Sequence, residues 1–460
     1  MVRSILNMGL KQFILKAKTS RFQQYLKSID ENRLRIDSEK KVLEVFRKAA
    51  RDVPAYKDFL RNSNVSSGDI YDIYDFKRKV PVWDKQAAFG AFRGKVEKLC
   101  LPGYFSDIRE IISSSGHSGN FSYGLSSRGA QKQLREMTDV MLDYTFGISD
   151  KKTLLINALP MGIKVRSDYL VVADTGPRAD TVVSLLSEFG FKFEQVIIAA
   201  DNNFAKNMLE DALDCGVDIK KMKIHLILGE EILAENMRGY LAHILGENLN
   251  ASDSAFIGSS YGIAEFGLNI MFETRETIGL RRLMRKNAPY DAHPVIFHYF
   301  PTRTYIEEYK AENYTELVMT GLDENAILPL VRYNTHDCGK VIPRHSELSI
   351  GLPVVELSDR DKLVLPDGKV IRPQLIKEAL FADFSVAPQV TRYFRLSQVN
   401  GRLNIDIQHK NGKEKNISLE EKINASLHSF LRAPFQVNIC PYLSFPYGLH
   451  LDYERKFRYI

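Results

Sequence analysis

The sequence predicts an α/β fold, with a large N-terminal domain over residues 1–358 and a small α+β C-terminal domain over residues 359–460. Three observations carry this expectation. The chain has 460 residues, more than one hydrophobic core of ordinary size needs. From about residue 152, short apolar runs alternate with helical stretches, as in a largely parallel sheet covered by helices. From about residue 345 the pattern changes to turn-rich, hairpin-like sequence.

Taken in order, the first hundred residues read as mainly helical. In EKKVLEVFRKAARDV, Val42, Leu43, Val45, Phe46 and Ala49 share one helical face, and Pro54 follows close behind, as after a helix end. An α/β core is expected over 101–358. Its strands are read at 153–159, 169–173, 195–199, 224–228 and 255–257, with helices between them at 180–189 and 204–215. Such sheets bind ligands at loops beyond the carboxyl ends of their strands. In the last hundred residues, SDRDKLVLPDGKV leads into a helix, RPQLIKEAL. A hairpin or meander around Asn400-Gly401 and Asn411-Gly412 is expected after it.

Hydrophobic residues at 44% and charged residues at 26% are ordinary globular usage and argue against long disorder. The net charge of +6 is small for this length; it favours an anionic ligand without implying nucleic acid, since no basic stripe with interleaved aromatics is present. Cys100, Cys215, Cys338 and Cys440 lie far apart with no CxxC pair, which fits a reduced compartment and gives no zinc or disulfide framework. Near the N-terminus, Ile5, Leu6, Leu10, Phe13 and Ile14 are interrupted by Asn7 and Lys11, so no continuous signal-type apolar region forms. That spacing suits either a membrane surface or, the preferred expectation, a helix docked on its own domain. No run approaches the roughly 20 apolar residues of a transmembrane helix, and a cytoplasmic protein is expected.

Three segments carry chemistry. In IISSSGHSGNFSYG, residues 111–124, two apolar residues run into a Ser/Gly cluster. Hydroxyls of Ser113, Ser114, Ser115 and Ser118 supply donors, and Gly116 and Gly119 let backbone N–H groups approach a phosphate. A flexible surface loop has the same composition, and the absence of GK[ST] excludes the ordinary P-loop. In GSSYGIAEFG, residues 258–267, a strand end and a turn would set Tyr261 and Glu265 at a cleft, a flat ring for a base and a hard oxygen for Mg²⁺. The competing reading is a core tyrosine and a solvated glutamate. In LPLVRYNTHDCGKV, residues 328–341, an apolar strand is expected to deliver Arg332, Thr335 and Asp337 into a turn. A carboxylate there accepts from ribose hydroxyls, unless Asp337 only forms the turn before Gly339.

In this order and wording, the segments resemble the phenylacetate–CoA ligase and capsular-polysaccharide (CapK-like) branch of the adenylate-forming superfamily. SSGHSG resembles its phosphate loop, YGIAE its YGxxE element and ILPLVRYNTHD its LPLIRYRTxD element. ILGEEILAENMR, residues 227–238, resembles the segment lining the adenine site. DVPAYKDFL and FKRKVPVWDK resemble upstream signatures of the branch, and SDRDKLVLPDGKVIRPQLIKEAL resembles the interdomain hinge. YERKFRYI resembles the C-terminal lysine element, so the likeness runs from roughly residue 40 to the end.

The resemblance implies activation of a carboxylic acid by ATP to an acyl-adenylate, then transfer to a thiol of CoA or of a carrier-protein phosphopantetheine. Ser114, Ser115, Gly116, Ser118 and Gly119 would hold the phosphates, with His117 an added donor. Gly229, Glu230 and Glu231 would border adenine, with Tyr261 and Gly262 against it. Asp337 would grip the ribose and Glu265 would ligate Mg²⁺. Arg360 would stand in for the hinge arginine. Lys456 would serve adenylation and leave as the mobile small domain turns about Asp361. A homodimer is compatible with the resemblance.

The chain departs from the family pattern at three places. His117 stands where Thr or Ser is preferred, Asn120-Phe121 replaces a polar residue and Pro, and no Lys follows the loop. Ser358-Asp359-Arg360-Asp361-Lys362 replaces GRxDD. NALPMGIKVRSDY, residues 157–169, replaces a Gly-rich aromatic acyl-pocket segment, where Lys164 and Arg166 are either receivers of an anionic acid or solvated charges. Transfer to an amine or protein acceptor, and a non-catalytic nucleotide-binding member, are the competing functions.

Overall fold

The computed structural model describes residues 2–460 apart from 115, 117, 118, 312, 313, 324, 325, 400, 413–416 and 448–456, with residues 2–8 as backbone only. Helices dominate the start: α1 (Val2–Lys27), α2 (Glu31–Asp52), α3 (Pro54–Asn62) and α4 (Ile73–Lys79), followed by the short strand β1 (Trp83–Asp84). Asp30 caps α2 by accepting from the Arg33 amide, and Pro54 opens α3, where its missing N–H costs nothing. The spacing read in α2 is realised: Val42, Val45, Phe46 and Ala49 are buried, and Leu43 is half-buried. They share a core with Phe76, Trp83, Tyr305, Leu330 and Tyr333, so the helical layer backs the strand that carries Asp337.

A hairpin of β2 (Ile108–Ser113) and β3 (Tyr123–Ser127) precedes α5 (Arg128–Phe146). Helix α1 lies against α5, with Thr19 donating to Asp143 at 2.6 Å, so the N-terminal helix docks on its own domain. Its Leu10, Phe13 and Ile14 stay exposed, and no helix among the described residues is long and apolar enough to cross a membrane.

The alternating region contains β4 (Thr153–Ala158), β5 (Val171–Asp174), α6 (Ala179–Phe189), β6 (Gln195–Asp201), α7 (Asn202–Asp214), β7 (Ile224–Gly229), α8 (Glu235–Leu245) and β8 (Ile257–Ile263). Strands pair in parallel in the order β5-β4-β6-β7-β8. Every residue of β4 and β6 is buried, the mark of strands covered on both faces. The sheet then changes direction. β9 (Gly267–Phe272) returns antiparallel to β8, and beyond α9 (Arg275–Asn287) come β10 (Val295–Tyr299), β11 (Thr304–Lys310), β12 (Thr315–Gly321), β13 (Tyr333–Ile342) and β14 (Val354–Ser358). The order continues β8-β9-β10-β14-β13-β12-β11, with β1 parallel to β13, making 12 strands among the described residues.

One expectation fails here. Residues 328–331 form no strand; Leu328, Leu330 and Val331 are plugged into the helical core instead. The strand starts at Tyr333, so Asp337 and Gly339 lie inside β13 rather than in a turn. Pairing to β12 on one side and β14 on the other holds them extended, with a register shift opposite His336, whose φ is +59°.

The C-terminal part comprises a ribbon of β15 (Leu363–Val364) and β16 (Val370–Ile371), then α10 (Pro373–Leu380), β17 (Val390–Val399), β18 (Arg402–His409), α11 (Ile417–Leu431) and β19 (Phe435–Cys440). The hairpin at Gly401 is present, with φ +76° at the glycine. After Gly412, however, the chain enters α11 and returns as β19 parallel to β18, because a parallel neighbour needs a crossover. Ile376, Phe381, Phe394 and Ile405 of this part share one buried cluster with Leu209, Met237 and Leu241 of α7 and α8.

Candidate functional site

Strands β8 and β13 are four places apart in the sheet, yet two side-chain hydrogen bonds join their segments. The Tyr261 hydroxyl donates to Oδ2 of Asp337, and the Tyr333 hydroxyl donates to Oε1 of Glu265 at 2.6 Å. Burial, and after it the charge of Asp337, push the Tyr261 hydroxyl well above its ordinary value, so it remains a donor. Tyr333 is raised in the same way by burial and Glu265. Each carboxylate therefore keeps a defined orientation with one oxygen engaged by a phenol. Gly262 turns the chain between them, and a side chain there would meet the Gly267 carbonyl at 2.9 Å.

The β2–β3 hairpin packs onto the same turn. A Cβ on Gly124 would stand 1.9 Å from the Ala264 carbonyl oxygen, so glycine is what lets β3 approach the turn before Glu265. At the loop's root the Ser114 amide donates to the Ser122 carbonyl, and the Ser122 amide returns to Ser114 Oγ, both at 3.0 Å. Gly116 and Gly119 have φ of +68° and +88°. Two residues after β1's Trp83, the Lys85 ammonium donates to Ser114 Oγ at 3.0 Å, and Gln86 accepts from Asn120. Asp84 faces His336, with Nε2 at 3.2 Å from Oδ2, while His336 Nδ1 stands 3.1 Å from Glu316. Burial alone would raise the Glu316 carboxyl, but hydrogen bonds from Asn334 and His336 outweigh it and hold it below its ordinary value. Sequence reasoning took FKRKVPVWDK only as an upstream signature of the branch and gave no role to Asp84, Lys85 or Gln86; Tyr333 was likewise missed.

Beyond β7, Gly229 ends the strand, and Glu230 adopts φ +72°, a strained value for a residue with a side chain. Glu231 does not face an open cleft. Its carboxylate accepts from Lys377 at 2.8 Å, Arg392 at 2.7 Å and Tyr459 at 2.9 Å, all from the C-terminal part. Burial would raise it, but Lys377 and Arg392 outweigh that and lower it to about 2. Nearby Asp201, which caps α7, is raised to about 6 by burial and by Glu231. A second buried network joins Arg238 to Glu235 and Glu273, and Arg281 to Glu235. Glu378 of α10 closes the start of α8, accepting the Glu235 and Asn236 amides at 2.9 Å each, and pairs with Arg285.

Arg360 and Asp361 are exposed in the connection after β14, and Asp359 accepts from the Gln374 amide at the start of α10. Lys164 and Arg166 face Asp174 and Glu110 at 3.3 and 3.4 Å in solvent-exposed ion pairs. Ser115, His117, Ser118 and Lys456 lie outside the described residues. A cavity of about 780 Å³, lined by Lys77, Lys79, Glu307, Lys310 and Arg332, contains none of the predicted nucleotide-site residues.

No protein-family model matches the sequence, and no curated protein matches it. Among solved structures, 2-hydroxyisobutyryl-CoA ligase in the postadenylation state with R3-HIB-AMP matches with a TM-score of 0.71 at 13% identity, covering 95% of this chain and 91% of that one. The same ligase with 2-HIB-AMP and CoA in the thioesterification state gives 0.57 at 14% identity, covering 91% and 88%. The anthranilate CoA ligase AuaEII with anthranoyl-AMP gives 0.50 at 13% identity, covering 72% and 63%. The chain thus has the fold of adenylate-forming CoA ligases.

Proposed function

We propose that this chain, built on the fold of adenylate-forming CoA ligases, activates a carboxylic acid with ATP and passes the acyl group to a thiol. The observation that carries the reading is the paired geometry of Tyr261–Asp337 and Tyr333–Glu265 under the glycine-rich hairpin. Asp337 accepts from the ribose hydroxyls, and Tyr261 presents a ring beside them. The attacking carboxylate and the α-phosphate repel one another, so the site must neutralise charge as the bond forms. Glu265 fits a Mg²⁺ that rides on phosphates, because such an ion needs only one or two protein carboxylates and Tyr333 already orients this one. When bound, the ion supplies positive charge to the phosphate oxygens. Gly116 and Gly119 turn the loop, the Gly119 amide donating to the Gly116 carbonyl at 2.9 Å, and Lys456 is the lysine that the resemblance assigns to the first half-reaction.

CoA or a carrier-bound pantetheine is the acceptor this reading supports, and the motif wording favours the phenylacetate–CoA ligase-like branch. The better match to the postadenylation form than to the thioesterification form supports a C-terminal domain, residues 359–460, docked as in the first half-reaction. Rotation about Asp361 would follow. The test is acid-dependent exchange of labelled pyrophosphate into ATP, over a panel of aromatic, fatty and hydroxy acids. Exchange with one acid class that disappears in Glu265→Ala supports the proposal. Protein that binds ATP but stays silent over the whole panel, alone and with CoA, overturns it.

A further inference from the structure

We infer that the outward face of α1 docks on an anionic lipid bilayer, with Leu10, Phe13 and Ile14 entering the headgroup boundary. The inference goes beyond the adenylation reading and does not depend on it. The helix has two opposite faces. Leu15, Thr19, Phe22 and Leu26, spaced by four, three and four residues, form the stripe that packs on the domain. Leu15 joins the core around Phe146, Thr19 donates to Asp143, and Phe22 meets Tyr144 edge-on. At about 3.6 residues per turn, Leu10, Phe13 and Ala17 project from the far side. Leu10 is 58% exposed, Phe13 69% and Ile14, beside them, 42%. The solvent side of a docked helix is ordinarily polar, so large apolar side chains clustered there mark a face with something further to bury.

Charge selects the occupant. From Gly9 to Lys27 the chain carries Lys11, Lys16, Lys18, Arg21 and Lys27, and no aspartate or glutamate. Lys16 lies on one flank of the apolar patch, Lys11 and Lys18 on the other, and Arg21 continues it toward the end of the helix. Lys16 pairs with Asp150, and Lys18 with Glu136 at 3.6 Å, all four side chains about half exposed. Pairs of that kind hold their cations only weakly, so both ammonium groups stay available at the surface. A second copy docking through the same face would set like charge against like. A groove that wraps a helix would need the flanks that Asp150 and Glu136 already occupy. A flat, negatively charged surface with an apolar interior meets both demands: acyl chains take the leucine, phenylalanine and isoleucine while lipid phosphates meet the flanking cations.

Co-sedimentation of the full chain with phosphatidylcholine vesicles, with and without about 30% phosphatidylglycerol, tests the assignment. Wild type should bind the anionic vesicles about 10-fold or more tighter than the neutral ones, and added salt should weaken it. Leu10→Gln with Phe13→Gln, and separately Lys11→Glu with Arg21→Glu, should each weaken binding about 10-fold or more, with thermal melting to confirm that both proteins fold. In Phe13→Trp, emission should move to shorter wavelength on anionic vesicles, against the steady background of Trp83, the chain's one tryptophan and 2% exposed. Wild type that binds no anionic vesicles overturns the assignment. So does full binding by folded protein with Leu10→Gln and Phe13→Gln, or an unmoved Phe13→Trp emission in bound protein. A lipid-free dimer in sedimentation velocity that the Leu10→Gln and Phe13→Gln pair abolishes also overturns it, and assigns the face to a second copy.

Discussion

Tyr261 and Asp337 stand 76 residues apart in the chain and share a hydrogen bond across the curved sheet. Four residues along each segment, the polarity reverses: Tyr333, on the strand of Asp337, donates to Glu265, beside the strand of Tyr261. Each segment thus gives one phenol and receives one. Each of the two acids is held by a neutral donor from the opposite segment.

That reciprocity separates orientation from chemistry. Glu265→Gln keeps an oxygen for the Tyr333 hydroxyl, so its melting temperature should stay within a few degrees of wild type, while exchange falls by about 10² to 10³. Tyr261→Phe leaves Asp337 charged but unheld. Its effect should appear as a rise in KM for ATP of roughly 10- to 150-fold, the worth of one hydrogen bond to a charged group. Steady-state exchange kinetics distinguish the two patterns.

Gly124→Ala should damage both stability and activity. The added methyl would lie 1.9 Å from the Ala264 carbonyl oxygen, so the hairpin must move off the turn that carries Glu265. A loss on the order of 1–3 kcal/mol is the usual cost of forced overpacking. Denaturant unfolding checks it, and a wild-type midpoint would show that the hairpin yields freely.

Glu231→Gln should be among the most destabilising single changes at neutral pH. It leaves Lys377 and Arg392 buried without their shared carboxylate, a situation that costs about 3–5 kcal/mol. The pH dependence has a definite sign. Because Glu231 is lowered to about 2 from 4.5, its contribution is present above about pH 4.5 and is lost as pH falls toward 2. The gap in melting temperature between wild type and variant should therefore narrow over that window.

Asp201 runs the other way. Raised from 3.8 to about 6, its contribution favours the folded state fully below pH 3.8 and is lost as pH rises through 6. Asp201→Asn keeps an oxygen for the Asn203 and Phe204 amides at the start of α7. The variant should be more stable than wild type at pH 8, by about 3 kcal/mol, and lose that advantage near pH 4. Melting curves across pH 4–8 check the crossover.

Much of this was legible in the sequence because it was local. The parallel strands announced themselves as short apolar runs, and Tyr261, Glu265 and Asp337 sat in segments whose composition pointed to a cleft. The apolar run at 328–331 misled, since an apolar tetrapeptide reads alike as a strand or as a core plug. The remainder depended on distance in the chain. Nothing near Glu231 in sequence shows that Lys377, Arg392 and Tyr459, between 146 and 228 residues away, will take its carboxylate. Lys85 was visible as a residue but not as a neighbour of Ser114, which stands 29 residues further along the chain.

The start of α8 makes the chain its own reporter. Ala234, at the cap position, offers no side-chain acceptor, and the carboxylate that closes the helix comes from Glu378, more than 140 residues later. Any excursion of the C-terminal part away from α8 strips the Glu235 and Asn236 amides of their acceptor and opens them to solvent deuterium. Their exchange rate thus counts departures of that part directly, without a label, and would slow or quicken with any ligand that favours one arrangement over another.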